Sequence, residues 1–316
     1  MRLLKDIKYN WLLPLVFKLR RKRIFNRAPK DLTEPELLFI MGSGRNGSTL
    51  LARLLNQHSE VFLPPEQYAL PYTIAKSFFN YSGDWNSYLQ SQINLYQKHN
   101  QHWQWDISDL SRLKEEASSL EAQYQNPANL FRLVLKNYAK KFKNGFRFSG
   151  DHSPISTEFY PYISASFPQA HYIFLVRHPF DVILSYAKLK DNKSQAWQKA
   201  ARKWRNSIKA YERLEAENRK VLLVRYEDLV SDIEPQLRRI FEFLELDPLR
   251  WSAEAPKQKE QDNLGARDYD YHQNLYKPVN ASAIDQWKEK LDPEIVERLK
   301  PTLANQAQKF NYSLDA

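Results

Sequence analysis

Five short, mostly apolar runs punctuate the chain, and each ends abruptly in a polar cluster. Residues 37–41 run into Gly42-Ser43-Gly44-Arg45-Asn46-Gly47-Ser48-Thr49, and residues 61–63 into Pro64-Pro65-Glu66. Residues 146–149 enter Gly150-Asp151-His152-Ser153-Pro154. Residues 171–176 stop at Arg177-His178-Pro179, and residues 220–224 at Arg225-Tyr226-Glu227-Asp228. Runs of this length and character read as strands buried on both faces, as in a parallel sheet. After the first polar cluster, Leu50, Leu51, Leu54 and Leu55 recur at helical spacing. Pro179 suits the first turn of another helix. Strands separated by helices predict an α/β, P-loop-like, three-layer fold, with a central parallel sheet flanked by helices. Ligands of such sheets bind beyond the carboxyl ends of the strands, where every polar cluster just named falls.

The rhythm breaks between about residues 70 and 145. Phe78, Phe79, Trp85, Tyr88, Tyr96, Trp103 and Trp105 crowd this stretch, and residues 130–141 have helical character. It reads as a helical insertion beside the site, with its aromatic residues in the core. His99 and His102 share a helical face but lack a third ligand, so no metal is expected there.

Composition narrows the function. The chain has 316 residues and no cysteine, which excludes disulfides, thiol chemistry and Cys-ligated zinc. A reducing, cytoplasmic setting is compatible with that. The formal net charge is +10, but residues 1–30 hold ten Lys/Arg against one Asp, leaving +1 for the remainder. The body is therefore balanced, which argues against a nucleic-acid partner. A single α/β domain over 34–316 is expected, preceded by a basic N-terminal segment over 1–33. In the basic segment, residues 11–17 are too short to span a bilayer and lack the order of a cleavable signal. Peripheral contact with an anionic membrane surface through residues 1–30 and a helix docked on the body both stay open.

The chemistry concentrates in two places. Strand, glycine turn and helix at Gly42–Leu51 make a phosphate cradle, since loop N–H groups and the positive helix end converge on an anion. Gly42, four residues and Gly47 frame almost a P-loop, but no lysine precedes Ser48 and Thr49. A shorter phosphate chain is expected, with Arg45 as the cation. Arg177 at a strand-to-helix transition, with Ser185 eight residues on, makes a second phosphate site. Asp181 is the competing partner for Arg177 within that turn. Two separate phosphate sites suit a nucleotide phosphorylated at both its 3′ and 5′ ends.

On these motifs the sequence resembles the sulfotransferase family that uses 3′-phosphoadenosine 5′-phosphosulfate. Gly44–Leu50 resembles the family's 5′-phosphosulfate loop, and Val176–Tyr186 its 3′-phosphate motif. Arg225-Tyr226-Glu227-Asp228-Leu229 matches a strand-end motif common there. The layout is closest to the tyrosylprotein branch: Glu66 stands where that branch keeps its catalytic glutamate. Lys277-Pro278-Val279-Asn280 with Trp287 resembles the branch's nucleotide-closing loop. The resemblance implies Arg45, Asn46, Gly47, Ser48, Thr49, Arg177, Ser185, Tyr226 and Lys277 as nucleotide-binding residues. It implies Glu66, Arg45 and His152 as the catalytic set, His152 standing where the branch has a lysine. Gln286 replaces the branch's basic residue, and only Lys188 and Lys190 follow Ser185. The implied reaction is metal-free transfer of a sulfuryl group to an acceptor hydroxyl of peptide, sugar or small metabolite. Rival readings are an atypical P-loop kinase or nucleotide hydrolase, and a non-enzymatic protein bound to a membrane surface. The absent lysine and the balanced body tell against them.

Overall fold

The computed structural model describes residues 34–66, 69–70, 73–74, 84–100, 110–140, 142–188, 196–252 and 281–315, with 98–100 described by backbone alone. The basic segment, Phe78, Phe79, His102, Trp103, Trp105 and Lys277 lie outside the described residues, as does the His99 side chain.

Strand β1 (Glu36–Met41) leads through the cradle into α1 (Ser48–Asn56), and β2 (Val61–Phe62) follows. Helices α2 (Trp85–Asn100), α3 (Leu110–Ser118) and α4 (Pro127–Ala139) occupy the stretch expected to be helical. Then come β3 (Phe148–Asp151), α5 (Pro154–Glu158), α6 (Tyr160–Ser166) and β4 (His171–Val176). Helices α7 (Pro179–Lys188) and α8 (Ala196–Ala216) precede β5 (Lys220–Arg225), α9 (Tyr226–Ser231) and α10 (Ile233–Phe243). Past the last undescribed internal stretch, α11 (Gln286–Lys290) and α12 (Pro293–Gln308) complete the chain.

All five strands are parallel, in the order β2-β3-β1-β4-β5. The period of two then assigns the layers. Leu37, Phe39 and Met41 of β1, with Tyr172, Phe174 and Val176 of β4, pack on one face against α4, α7 and α8. Leu38, Ile40, Ile173 and Leu175 pack on the other, against Leu51, Leu54 and Leu55 of α1 and against α10. Phe39 stacks on Tyr172 at 5.6 Å and meets Phe167 at 5.4 Å. Burying each ring of this size contributes about 1.5–3 kcal/mol, so both faces hold the sheet between its helical layers. Trp85, Tyr88 and Tyr96 of the helical stretch are buried in the first layer, as expected of core aromatics.

The strand whose boundaries differ most from expectation is β3. β3 covers Phe148–Asp151 rather than residues 146–149, with Glu36 opposite Phe148 and Phe39 opposite Asp151. Ladder hydrogen bonds use backbone alone, so polar Ser149, Gly150 and Asp151 serve as well as apolar residues. Arg147, left outside, instead forms an ion pair with Glu36 at 2.6 Å.

The topology also places the site. The chain leaves β1 toward β2 on one side and leaves β4 toward β5 on the other. A crevice opens where neighbouring strands send their connections in opposite directions. Here it lies between the carboxyl ends of β1 and β4.

Candidate active site

The cradle fills that crevice. Gly47, the N-cap of α1, sits at φ 97°, a conformation costly for any residue with a Cβ. A Cβ there also falls 2.5 Å from the Tyr226 ring, so the loop can close only on glycine. Asn46 is 1 % exposed and donates from Nδ2 to the Leu175 carbonyl of β4 at 2.6 Å. The Gly42 N–H donates to Thr157 Oγ1 of α5 at 2.8 Å, and the Tyr186 hydroxyl of α7 donates to the Ser43 carbonyl at 2.8 Å. Three elements thus fasten one loop, each bond contributing about 1 kcal/mol and together fixing its shape before any ligand arrives. Ser48 and Thr49 open α1, where unpaired N–H groups and the positive helix end favour an anion.

Arg177 ends β4 beside this loop. Its Nη1 donates to the Arg45 carbonyl at 3.2 Å and its Nη2 to the Ala283 carbonyl at 2.7 Å. The guanidinium lies over the Tyr226 ring, 4.4 Å from the centroid. Arg177 Nε is buried and has no hydrogen-bond partner among the described residues. A buried cationic donor left unpaired costs about 1–3 kcal/mol, a cost that an anionic acceptor would relieve. Ser185 on α7 completes the group: its hydroxyl accepts Arg45 Nε at 3.0 Å. The two phosphate motifs, 140 residues apart, therefore meet through Arg45. Burial pushes the Tyr226 phenol pKa up, opposed by Arg177, so this ring is a neutral platform.

Asp181 does not take up the competing role of partner to Arg177. Instead of pairing with Arg177 inside the turn, its carboxylate accepts the N–H of Asp285 at 2.9 Å and of Trp287 at 3.0 Å. Two backbone amides thereby satisfy both carboxylate oxygens. Burial raises the Asp181 pKa, with Arg177 and the Trp287 amide acting against the shift.

Glu66 is half-buried just past the end of β2. Its charge is felt at the Tyr186 hydroxyl, whose pKa burial chiefly raises; Lys203 and Arg45 oppose that rise, and Glu158 and Glu66 add to it. His152 is 1 % exposed and follows Asp151, the last residue of β3. Asp151 belongs to the strand rather than a turn, and its carboxylate accepts the hydroxyls of Ser153 at 2.6 Å and Ser156 at 2.5 Å. It ties β3 to α5, the helix whose Thr157 holds Gly42.

Sequence reasoning did not single out Thr157 or Tyr186, which shape the cradle from other elements. Tyr186 left one signal, its place directly after Ser185 on the same helix. Thr157 left none, because its partner lies 115 residues away. Among the described residues no group of three or more His, Asp or Glu side chains could hold a metal. None of their helices is long and apolar enough to cross a membrane.

A parallel sheet with a glycine cradle at a helix N-terminus and two converging arginines defines a P-loop-like α/β scaffold. The chain belongs to the sulfotransferase family, whose profile matches residues 35–252. It is accordingly an enzyme that transfers a sulfuryl group from a sulfonate donor. Two solved structures share the fold: the sulfotransferase domain from the curacin biosynthetic pathway and that from the olefin synthase of Synechococcus PCC 7002. The first is 22 % identical with a TM-score of 0.55, over 87 % of this chain and 99 % of its own. The second is 24 % identical with a TM-score of 0.55, over 87 % and 97 %. Comparison with curated protein sequences finds no match.

Proposed function

We propose that the donor is 3′-phosphoadenosine 5′-phosphosulfate and that the acceptor is a hydroxyl of a peptide tyrosine, a sugar or a small metabolite. The observation that carries this reading is the meeting of the two anion sites: Arg45 reaches Ser185, and Arg177 reaches the Arg45 carbonyl. One cationic crevice then receives the 5′-phosphosulfate in the cradle and the 3′-phosphate at Arg177 and Ser185. The unpaired Arg177 Nε supplies a donor for that second phosphate. Tyr226, under the Arg177 guanidinium, keeps the fork in place.

The donor supplies a sulfuryl group whose bond to the 5′-phosphate breaks as a bond to the acceptor oxygen forms. Glu66 takes the proton leaving the acceptor hydroxyl, a role worth about 10²–10⁴-fold for a positioned carboxylate. Arg45, the Ser48 and Thr49 hydroxyls and the loop N–H groups hold the charge that develops on the departing phosphate. His152, at the end of β3, stands on the edge where the family resemblance places a basic residue. The family resemblance also assigns Lys277 to nucleotide binding. Residues 34–316 act as the catalytic domain, and the basic segment brings it to an anionic membrane surface.

The test is a panel of tyrosine peptides, sugars and hydroxylated metabolites incubated with the labelled donor and read by mass spectrometry. Sulfated product with one adenosine 3′,5′-bisphosphate released per transfer is expected. Failure of the protein to bind the bisphosphate at all overturns the donor assignment.

A further inference from the structure

The residues around Arg177 hold a distant part of the chain as well as the cradle. Asp181, 1 % exposed, accepts the amides of Asp285 and Trp287 on its two oxygens. Trp287, 1 % exposed, stacks on His178 at 5.0 Å with a 5° interplanar angle and meets Phe180 at 4.9 Å. Asp285 sits at φ 59°, a left-handed conformation that the bond from its N–H to Asp181 helps retain. One turn away, the Ala283 carbonyl takes Arg177 Nη2 at 2.7 Å. The 283–287 turn is therefore bolted to the first turn of α7 and, in the same geometry, sets one prong of the Arg177 fork.

We propose that Asp181 is a positioning residue for nucleotide recognition. By clamping the 283–287 turn it holds the Ala283 carbonyl, and with it the angle at which Arg177 presents Nε to the 3′-phosphate. This rests on the assignment of Arg177 to that phosphate. Loss of the clamp lets the turn drift and frees Arg177 to rotate about its remaining bond to the cradle. The guanidinium charge persists, but its aim does not. Because the cradle has its own fastenings to β4, α5 and α7, recognition of the 5′ end is spared.

The experiment compares adenosine 3′,5′-bisphosphate with adenosine 5′-monophosphate by calorimetry on wild type, Asp181→Asn and Arg177→Ala. Asparagine keeps one acceptor and turns a donor toward the second amide. The Kd of the monophosphate divided by that of the bisphosphate should fall about tenfold in Asp181→Asn, with the monophosphate nearly unchanged. Coupling is reciprocal, so in wild type the bisphosphate, and not the monophosphate, should slow hydrogen exchange at the amides of 285 and 287. That second measurement needs no variant to fold. Equal weakening of both ligands in Asp181→Asn, or exchange at 285 and 287 indifferent to the bisphosphate, overturns the clamp while Arg177→Ala still abolishes the ratio. If Arg177→Ala leaves the ratio intact, the phosphate assignment itself falls and the clamp falls with it.

Discussion

Removing Arg177 separates what this residue does for the fold from what it does for a ligand. Arg177→Ala deletes two bonds from a charged donor to backbone carbonyls, at 3.2 Å and 2.7 Å, and a cation–π contact at 4.4 Å. Water can reach a half-buried site and replace part of this. The net loss of stability is then about 2–4 kcal/mol, below the sum of the isolated terms. For a chain of this size that lowers Tm by about 3–6 °C. The ligand loses one partner of a desolvated charged contact, about 2–4 kcal/mol, or roughly 30- to 1000-fold in Kd. Calorimetry well below Tm reads the second effect without the first. Adenosine 3′,5′-bisphosphate should lose that affinity, whereas adenosine 5′-monophosphate should lose little. Arg177→Lys keeps the charge but not the fork, and should recover only a minor part of the loss. Equal loss for both nucleotides would refute the reasoning, since Arg177 would then be holding the cradle rather than a phosphate.

Glu66→Gln preserves shape and removes basicity, so kcat should drop about 10²-fold or more with nucleotide affinity unchanged. Retained turnover, or loss of binding alongside it, takes Glu66 out of the reaction. Without Mg²⁺, adenosine 3′,5′-bisphosphate at 100 times its Kd should stabilise the protein by about 2.7 kcal/mol in thermal melts, and ATP far less; stronger Mg²⁺-dependent protection by ATP contradicts the two-phosphate site. His171 is held to a pKa of about 4 by burial and by Lys220, against the pull of Glu36, so it is neutral in the fold. The unfolded chain protonates it below about 6.5, so its contribution is complete above that pH and is lost as pH falls toward 4, by about 3 kcal/mol. Burial lowers His58 and His178 in the same direction. Urea unfolding of His171→Phe should show a shallower acid loss over that window, and an unaltered slope rejects the assignment. Deleting residues 1–30 should spare turnover of a soluble acceptor while weakening binding to anionic vesicles in a salt-sensitive way; an inactive truncation places the segment in the catalytic body instead.

Local pattern alone carried the layers of this protein. Continuous apolar runs at 37–41 and 171–176 can be satisfied only by burial on both faces, which calls for helices above and below a parallel sheet. The cradle was legible for a similar reason: glycine at 47 and a leucine repeat after it leave few local conformations. Ser185 and Arg177 lie eight residues apart across one helix start, so their grouping too was within reach of spacing. β3 was misplaced by two residues because backbone pairing does not depend on side-chain polarity, and apolar content is all a pattern can weigh. Tertiary structure decided the rest. The order β2-β3-β1-β4-β5 puts β1 beside β4, and only that adjacency lets Arg45 reach Ser185 and Arg177 reach the Arg45 carbonyl. Asp181 shows the same division. Its neighbour at i−4 was the partner that sequence proximity offered, but two amides from 104 and 106 residues away satisfy both carboxylate oxygens at once. Local spacing determines which residues can share a helix face or a turn. Which buried donor meets which acceptor is set by the packing of whole elements, because a buried carboxylate must be satisfied by whatever the fold brings to it.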